Sequence, residues 1–361
     1  MNILCVIDSL GSGGAQRQLV ELALGLKKEG HLVSFLTYHP QDFYKELLIA
    51  EGISIHCIQE PSYIKRLLKM RYYMRTGKFD NVISFLEASC FISEIAGFPY
   101  RDWRLIVGER SANPNILKSF KLRFYRWFHL FASYIVANSD ANLKMVKQIN
   151  PFLLDSKCKV IYNALDLDKW SPDDSYYSFG HNKVRIVIAA SHQRLKNLKG
   201  LIEAVNLLTE EEKEKLEIEW YGDHGFDSSY DEGQNLIKEY GLLKVFKFYD
   251  ATLEIRKKFL SADVIGLFSH HEGLPNAICE GMALGKPILA TTVSDLPLII
   301  DNSCGFLCDS RDPSDISHKI KMYLSMDYDQ MKIMGNNSRK RALNLFSKDN
   351  ILNQYKNLLK L

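Results

Sequence analysis

Residues 264–292 read VIGLFSHHEGLPNAICEGMALGKPILATT. A short apolar run, a Gly/Pro loop, a short helical pattern, a Gly stop and a second apolar run follow one another. This is the signature of a buried strand, a loop, a helix and a second strand. Glu272 stands in the loop and Glu280 about one turn into the helix. That spacing lets both carboxylates face one ligand lying over the helix N-terminus. The free N–H groups and the dipole of a helix N-terminus favour phosphate. Two carboxylates beside a phosphate would repel it, so they are read as accepting hydrogen bonds from hydroxyls. Phosphate plus several hydroxyls describes a nucleotide sugar. The competing reading is two glutamates on a solvated face; the flanking EG, P and EGMALGKP between two apolar runs weigh against it.

Outward from this unit, the chain alternates short apolar runs with helical patterns. ILCVIDSL, HLVSFLTY, ISIHCI, NVISFLE, RLIVGER and YIVANSD are strand candidates in the first half. AQRQLVELALGLKKEG is an amphipathic helix closed by Gly30. The pattern restarts with VRIVIAAS and continues through LEIEWYGD, VFKFYD, ADVIGLFS, PILATT and GFLCDS. This βαβα order predicts an α/β protein with parallel sheets covered by helices on both faces. A polar stretch from Asp166 to Asn182 has the Pro/Asp/Ser/Gly character of a linker. The expected division is 1–168, 169–345 and a C-terminal helix in 346–361 that packs back on the first domain. Two doubly wound domains facing across a cleft would bind ligands at the carboxyl ends of their strands.

Two further motifs fall at strand ends. Gly11-Ser12-Gly13-Gly14-Ala15 follows the first strand and opens the first helix, where glycines admit a ligand close to the backbone. A nicotinamide-dinucleotide site fits poorly, because G-x-G-x-x-G is unmatched and the second strand ends in LTYHP without an acid. Arg194 and Lys199, in AASHQRLKNLKGLIEA, follow the first strand of the second domain and suit a diphosphate. The plainer reading is a solvated basic turn, since Lys196 crowds the same segment.

Together these residues resemble the GT-B fold glycosyltransferases of the retaining group called family 4, over nearly the whole length. Glu272 and Glu280 meet the E-x7-E motif. Gly13, Gly14, Ala15, Gln16 and Arg17 meet GGA(E/Q)R, and Arg194, Lys199 and Gly200 meet R-x4-K-G. Gly222 and Asp223 meet a G-D element. The resemblance implies two Rossmann-like domains and a metal-independent hexosyltransferase. Glu280 would hold the donor ribose, Glu272 the donor sugar, and backbone around Gly273, Leu274 and Asn276 the sugar and phosphates. Arg194 and Lys199 would neutralise the departing diphosphate. Gly13 and Gly14 would approach the donor from the first domain. Where such enzymes often carry a His, RLIVGERSANPN has none, and Glu109 and Arg110 take the candidate place. The competing reading of that pair is a surface ion pair. Leu298 replaces the Glu usual after G-G-x-P. The transfer would be retaining, with the acceptor hydroxyl attacking on the face the nucleotide leaves, rather than a two-carboxylate glycosidase scheme.

Composition bounds the partners. The 361 residues are 46% hydrophobic and 25% charged, which is globular. No apolar run approaches the ~18 residues of a membrane span. The start, MNILCVIDSLGSGG, is expected as a first strand rather than a leader. Seven widely spaced cysteines read as reduced cytosolic thiols, and Cys304 and Cys308 lack partners at zinc spacing. The D-x-D at Asp166–Asp168 falls in the crossover and reads as structural. Residues 1–170 hold 22 basic against 16 acidic side chains. Two segments account for the excess: PSYIKRLLKMRYYMRTGK (61–78) and LKSFKLRFYRWFHLF (117–131). In the second, Leu117, Phe120, Phe124, Phe128 and Phe131 form one helical stripe edged by Lys118, Lys121, Arg123 and Arg126. It faces either an anionic membrane or the core; nucleic acid ranks last, for want of a motif.

The resulting expectation is a cytoplasmic enzyme, peripheral on the inner face of the membrane. It would carry a hexose or N-acetylhexosamine from a UDP-sugar to a lipid-linked or saccharide acceptor in surface polysaccharide, O-antigen or lipopolysaccharide synthesis, without cofactor or metal. Rival readings are a GT-B epimerase or hydrolase, and a non-catalytic glycan-binding scaffold.

Overall fold

The computed structural model describes residues 1–110, 114–173, 183–225 and 227–359. Much of the expected linker, 174–182, lies outside them, as do part of the run after Arg110 and the last two residues of the chain. The chain forms two compact units, Met1–Ala164 with Lys348–Leu361, and Leu165–Ser347. The first crossing thus falls at 164/165, a little ahead of the expected 168.

The first unit holds a seven-stranded sheet: β1 Asn2–Val6, β2 Leu32–Thr37, β3 Ser54–Cys57, β4 Asn81–Phe85, β5 Arg104–Glu109, β6 Tyr134–Ala137 and β7 Cys158–Val160. Its order is β3-β2-β1-β4-β5-β6-β7, and every pairing is parallel. β1 shows why the strands read as unbroken apolar runs. Ile3 and Cys5 enter one core layer, Leu4 and Val6 the other, because successive side chains alternate faces. The helix Gly14–Lys28 covers one face through Leu19, Ala23 and Leu26. Ile351 and Tyr355 of the C-terminal helix Lys348–Lys356 join that layer. Helices Tyr63–Thr76 and Glu87–Gly97 cover the other face.

The second unit holds β8 Val184–Ala189, β9 Leu216–Tyr221, β10 Phe246–Tyr249, β11 Val264–Leu267, β12 Ile288–Thr291 and β13 Gly305–Cys308. Their order is β10-β9-β8-β11-β12-β13, again all parallel. In each sheet the winding reverses direction once, between β1 and β4 and between β8 and β11. Loops leaving the carboxyl ends of such neighbours diverge to opposite faces and leave a crevice for ligand. The loop of Glu272 follows β11, so residues 264–292 lie at that reversal.

Candidate functional site

In the second unit, three loops are stitched together at the carboxyl ends of β8, β11 and β13. Asn197 takes a left-handed conformation (φ 60°) and caps the helix Leu198–Asn206, its Oδ1 accepting from the Gly200 N–H at 3.1 Å. Its Nδ2 donates to the Ser310 carbonyl at 2.8 Å. The His270 N–H donates to the Leu195 carbonyl at 2.9 Å. Across this frame Glu272 Oε1 accepts from Ser269 Oγ at 2.7 Å and from Lys196 Nζ at 2.5 Å. The Glu272 and Lys196 side chains are 14% and 19% exposed, so the pair is largely shielded from water. Glu280 is buried inside the helix Asn276–Ala283.

Lys196 is the cation that sequence reasoning passed over as surplus charge. Arg194 and Lys199 stand apart from Glu272: Arg194 Nη2 bridges Glu232 at 2.8 Å and Lys199 reaches Glu203 at 3.7 Å, all four well exposed or half-buried. Leu274 is buried, while Gly273 and Asn276 are half-buried at the mouth of the helix.

Beside this frame, a pocket of about 230 Å³ opens at the ends of β8, β9 and β10, lined by Ser191, Tyr221, Gly222, Asp223 and Thr252 among others. A Cβ on Gly222 would lie 1.9 Å from the Ala190 carbonyl oxygen. Only glycine lets the two strand ends approach so closely. His192 was also missed. It is buried, its ring stacks on Trp220 with centroids 5.4 Å apart, and its N–H donates to the Asp223 carbonyl at 2.8 Å. Burial and the neighbouring His224 lower its pKa to about 4, so the ring is neutral at pH 7.

In the first unit, the exposed Gly13 and Gly14 open the helix Gly14–Lys28, with Gly13 in an ordinary extended conformation. Gln16 Nε2 donates to Asp8 Oδ1 at 3.0 Å and ties the helix start to the end of β1. Glu109 and Arg110 diverge and do not form the surface ion pair of the plainer reading. Glu109 is 3% exposed. Its two oxygens accept from Arg126 Nη2 at 2.7 Å and His129 Nε2 at 2.8 Å. The other ring nitrogen of His129 meets Glu94 Oε1 at 2.7 Å. Burial works against charge on Glu109, but Arg126 and His129 outweigh it and hold its pKa down at about 2. Burial likewise opposes charge on His129, yet Glu94 and Glu109 raise it to about 9. A histidine therefore does touch Glu109, though none stands near it in the chain. Arg110 turns elsewhere: it donates to the Tyr355 hydroxyl and lies 4.0 Å over the Phe85 ring.

The aromatic stripe does not face the core. Phe120 is 85% exposed, and Phe124, Trp127 and Phe131 are exposed as well. Phe120, Phe124, Phe128, Phe131 and Phe98 form a continuous run of ring contacts, with neighbouring centroids 5.2–6.4 Å apart. Lys118, Lys121 and Arg123 are exposed beside it. Arg126 was expected on this basic edge; it points the opposite way, into Glu109. Among the described residues no helix is long and apolar enough to cross a membrane, and no cluster of three His, Cys, Asp or Glu side chains is arranged to hold a metal ion.

Two family models match this chain: "Glycosyltransferase Family 4" over residues 12–169 and "Glycosyl transferases group 1" over residues 177–341. A Campylobacter jejuni N-acetylgalactosaminyltransferase acting on a diNAcBac-PP-undecaprenol-linked saccharide is 26% identical over 95% of this chain and 94% of its own. An alpha-1,3/1,6-mannosyltransferase ALG2 from Dictyostelium discoideum is 24% identical over 96% and 95%. The crystal structure of Anabaena Alr3699/HepE in complex with UDP superposes with a TM-score of 0.84, at 20% identity and 99% coverage of both chains. With matches that span both units, two all-parallel doubly wound sheets and a GT-B neighbour along its whole length, the chain belongs to the group 1, family 4 glycosyltransferases of GT-B fold.

Proposed function

We propose that this protein transfers a hexose or N-acetylhexosamine from a UDP-sugar to a lipid-linked or saccharide acceptor, with retention and without a metal, in surface polysaccharide, O-antigen or lipopolysaccharide synthesis. The observation that carries this reading is the shielded Lys196–Glu272–Ser269 triad beside the Glu280 helix, at the sheet reversal between β8 and β11. The adjoining 230 Å³ pocket suits a nucleobase. The lipid-linked substrate of the Campylobacter relative and the UDP of the Anabaena structure support the donor and acceptor classes.

In this scheme Glu280 binds ribose hydroxyls and Glu272 binds hydroxyls of the donor sugar. Arg194, Lys199 and Lys196 neutralise the diphosphate as it leaves, which favours the transition state over the ground state. Gly273 and Asn276 present backbone N–H groups to the sugar and phosphates. The acceptor hydroxyl attacks on the face the diphosphate vacates, and the departing phosphate takes its proton. Gly13 and Gly14 admit the donor near the first helix. The exposed aromatic ridge with its lysines supports work on the inner face of the cytoplasmic membrane.

A screen of UDP-hexoses and UDP-N-acetylhexosamines, read by UDP release with and without candidate polyprenyl-linked saccharides, tests the proposal. Acceptor-dependent release is expected. Release that ignores every acceptor would favour a hydrolase or epimerase. Binding without turnover across the panel would favour a scaffold.

A further inference from the structure

A cavity of about 470 Å³ opens in the first unit beneath the C-terminal helix. Leu22, Phe85, Ile351 and Leu352 make much of its wall apolar. Arg110 is among its charged lining residues. Its guanidinium donates to the Tyr355 hydroxyl and to Asn163 Oδ1 at 3.4 Å, and it lies over the Phe85 ring. Its Nε is buried with no hydrogen-bond partner. Among the described residues, no carboxylate pairs with it. Two acids on the same wall are held elsewhere: Glu21 bridges Lys348 at 2.9 Å and Glu29 bridges Lys356 at 2.8 Å. Asp349 and Lys28 also reach the lining and offset one another in charge. A guanidinium is always charged, and one whose hydrogen bonds go only to neutral groups retains its demand for an anion.

We propose that this cavity binds a small amphipathic anion, with a phosphate or carboxylate head on Arg110 and an apolar body against Leu22, Ile351 and Leu352. The volume lies within the roughly 300–1,000 Å³ common to small-molecule sites. The site belongs wholly to the first unit, whereas the candidate donor pocket belongs wholly to the second. Arg110 then serves this ligand rather than the donor.

Isothermal titration calorimetry with phenyl phosphate, inorganic phosphate and phenol separates head from body. The intact protein should bind phenyl phosphate at least tenfold more tightly than either half. Arg110→Gln removes the charge, and Leu352→Trp fills the cavity while leaving the guanidinium and its bonds in place. Each should weaken phenyl phosphate at least tenfold, with circular dichroism melts reporting the fold. Should Arg110→Gln fail to fold, Leu352→Trp decides alone. No binding of phenyl phosphate at millimolar concentration overturns the proposal. So does binding that ignores Leu352→Trp, because the anion would then lie at another site, such as the second unit's loops.

Discussion

His129→Gln removes one charge from the buried run Arg126–Glu109–His129–Glu94 and keeps most of its shape. The size of the effect follows from the titration of the ring. The pKa of His129 rises from 6.5 to about 9 on folding, and each tenfold gain in proton affinity is worth ~1.4 kcal/mol, so its charge contributes about 3 kcal/mol. Glu109, held at about 2, feels the same contacts from the other side, so the two contributions overlap rather than add. A raised histidine stabilises fully below its unfolded value of 6.5 and loses that contribution as the pH climbs through about 9. The depressed Glu109 stabilises above its ordinary value of 4.5 and loses its share as the pH falls through about 2. The joint contribution of His129 and Glu109 is therefore fullest between about pH 4.5 and 6.5, while Glu94, whose burial raises its carboxyl, works against it as the pH climbs above 4.5. Hydrogen exchange of peptides spanning β5 and residues 126–131 isolates the first unit from the second. At pH 6 the variant should lose roughly a hundredfold in protection, the equivalent of about 3 kcal/mol. At pH 9 the gap should shrink, because the parent histidine is then losing its proton. Protection within threefold of the parent at pH 6, or a gap that stays constant up to pH 9, would refute the reasoning.

Glu280→Ala should abolish UDP binding by calorimetry while the thermal melt stays cooperative; parental affinity would remove Glu280 from the donor site. Lys196→Met should lower kcat/KM by roughly ten- to a hundredfold, the worth of about 1.5–3 kcal/mol for a shielded charged hydrogen bond. A change below twofold would make the Lys196–Glu272 bond a resting contact only. Replacing Phe120 and Phe124 by Ser should cut sedimentation with anionic liposomes at least tenfold, since each ring withdraws on the order of 2 kcal/mol of apolar burial. Replacing Lys118, Lys121 and Arg123 by Gln should act most at low salt. Unchanged sedimentation of the Phe variant would take the ridge out of the membrane reading. Gly222→Ala should lower the melting temperature of the second unit, because the clash is with backbone that has no side chain to move aside.

The fold was legible for a physical reason. Parallel strands buried on both faces are forced to be apolar throughout, so β1, β4, β8 and β11 announce themselves as runs bounded by Gly, Pro and polar residues. β7 did not, because it is an edge strand of three residues with only Cys158 buried, and its neighbours Lys159 and Val160 carry no period. The Glu272/Glu280 pair was legible because a strand, a loop and a helix fix it locally. Lys196 was not. Its meeting with Glu272 depends on the left-handed turn at Asn197 and on the Leu195–His270 contact, which join segments more than seventy residues apart.

The segment 117–131 stayed open between two readings, and its Arg126 was misplaced, for a deeper reason. Hydrophobic periodicity assigns the apolar stripe of a helix to the core and its charges to water. Here the assignment is inverted over part of the surface. Phe120, Phe124 and Phe131 look outward, while Arg126 and His129 turn inward onto Glu109 and Glu94. Such an inversion is costly unless both sides find partners. The buried side does, through paired carboxylates that would otherwise be stranded. Among the described residues the exposed rings meet mainly other rings, as where Phe91 lies 5.8 Å from Phe124 and Phe152 lies 5.8 Å from Trp127. An aromatic face of this kind, anchored from beneath by charge pairs and fringed by lysines, is the surface that the proposed bilayer contact would cover. That asymmetry, rather than the net charge of the first half, is the argument for a bilayer partner.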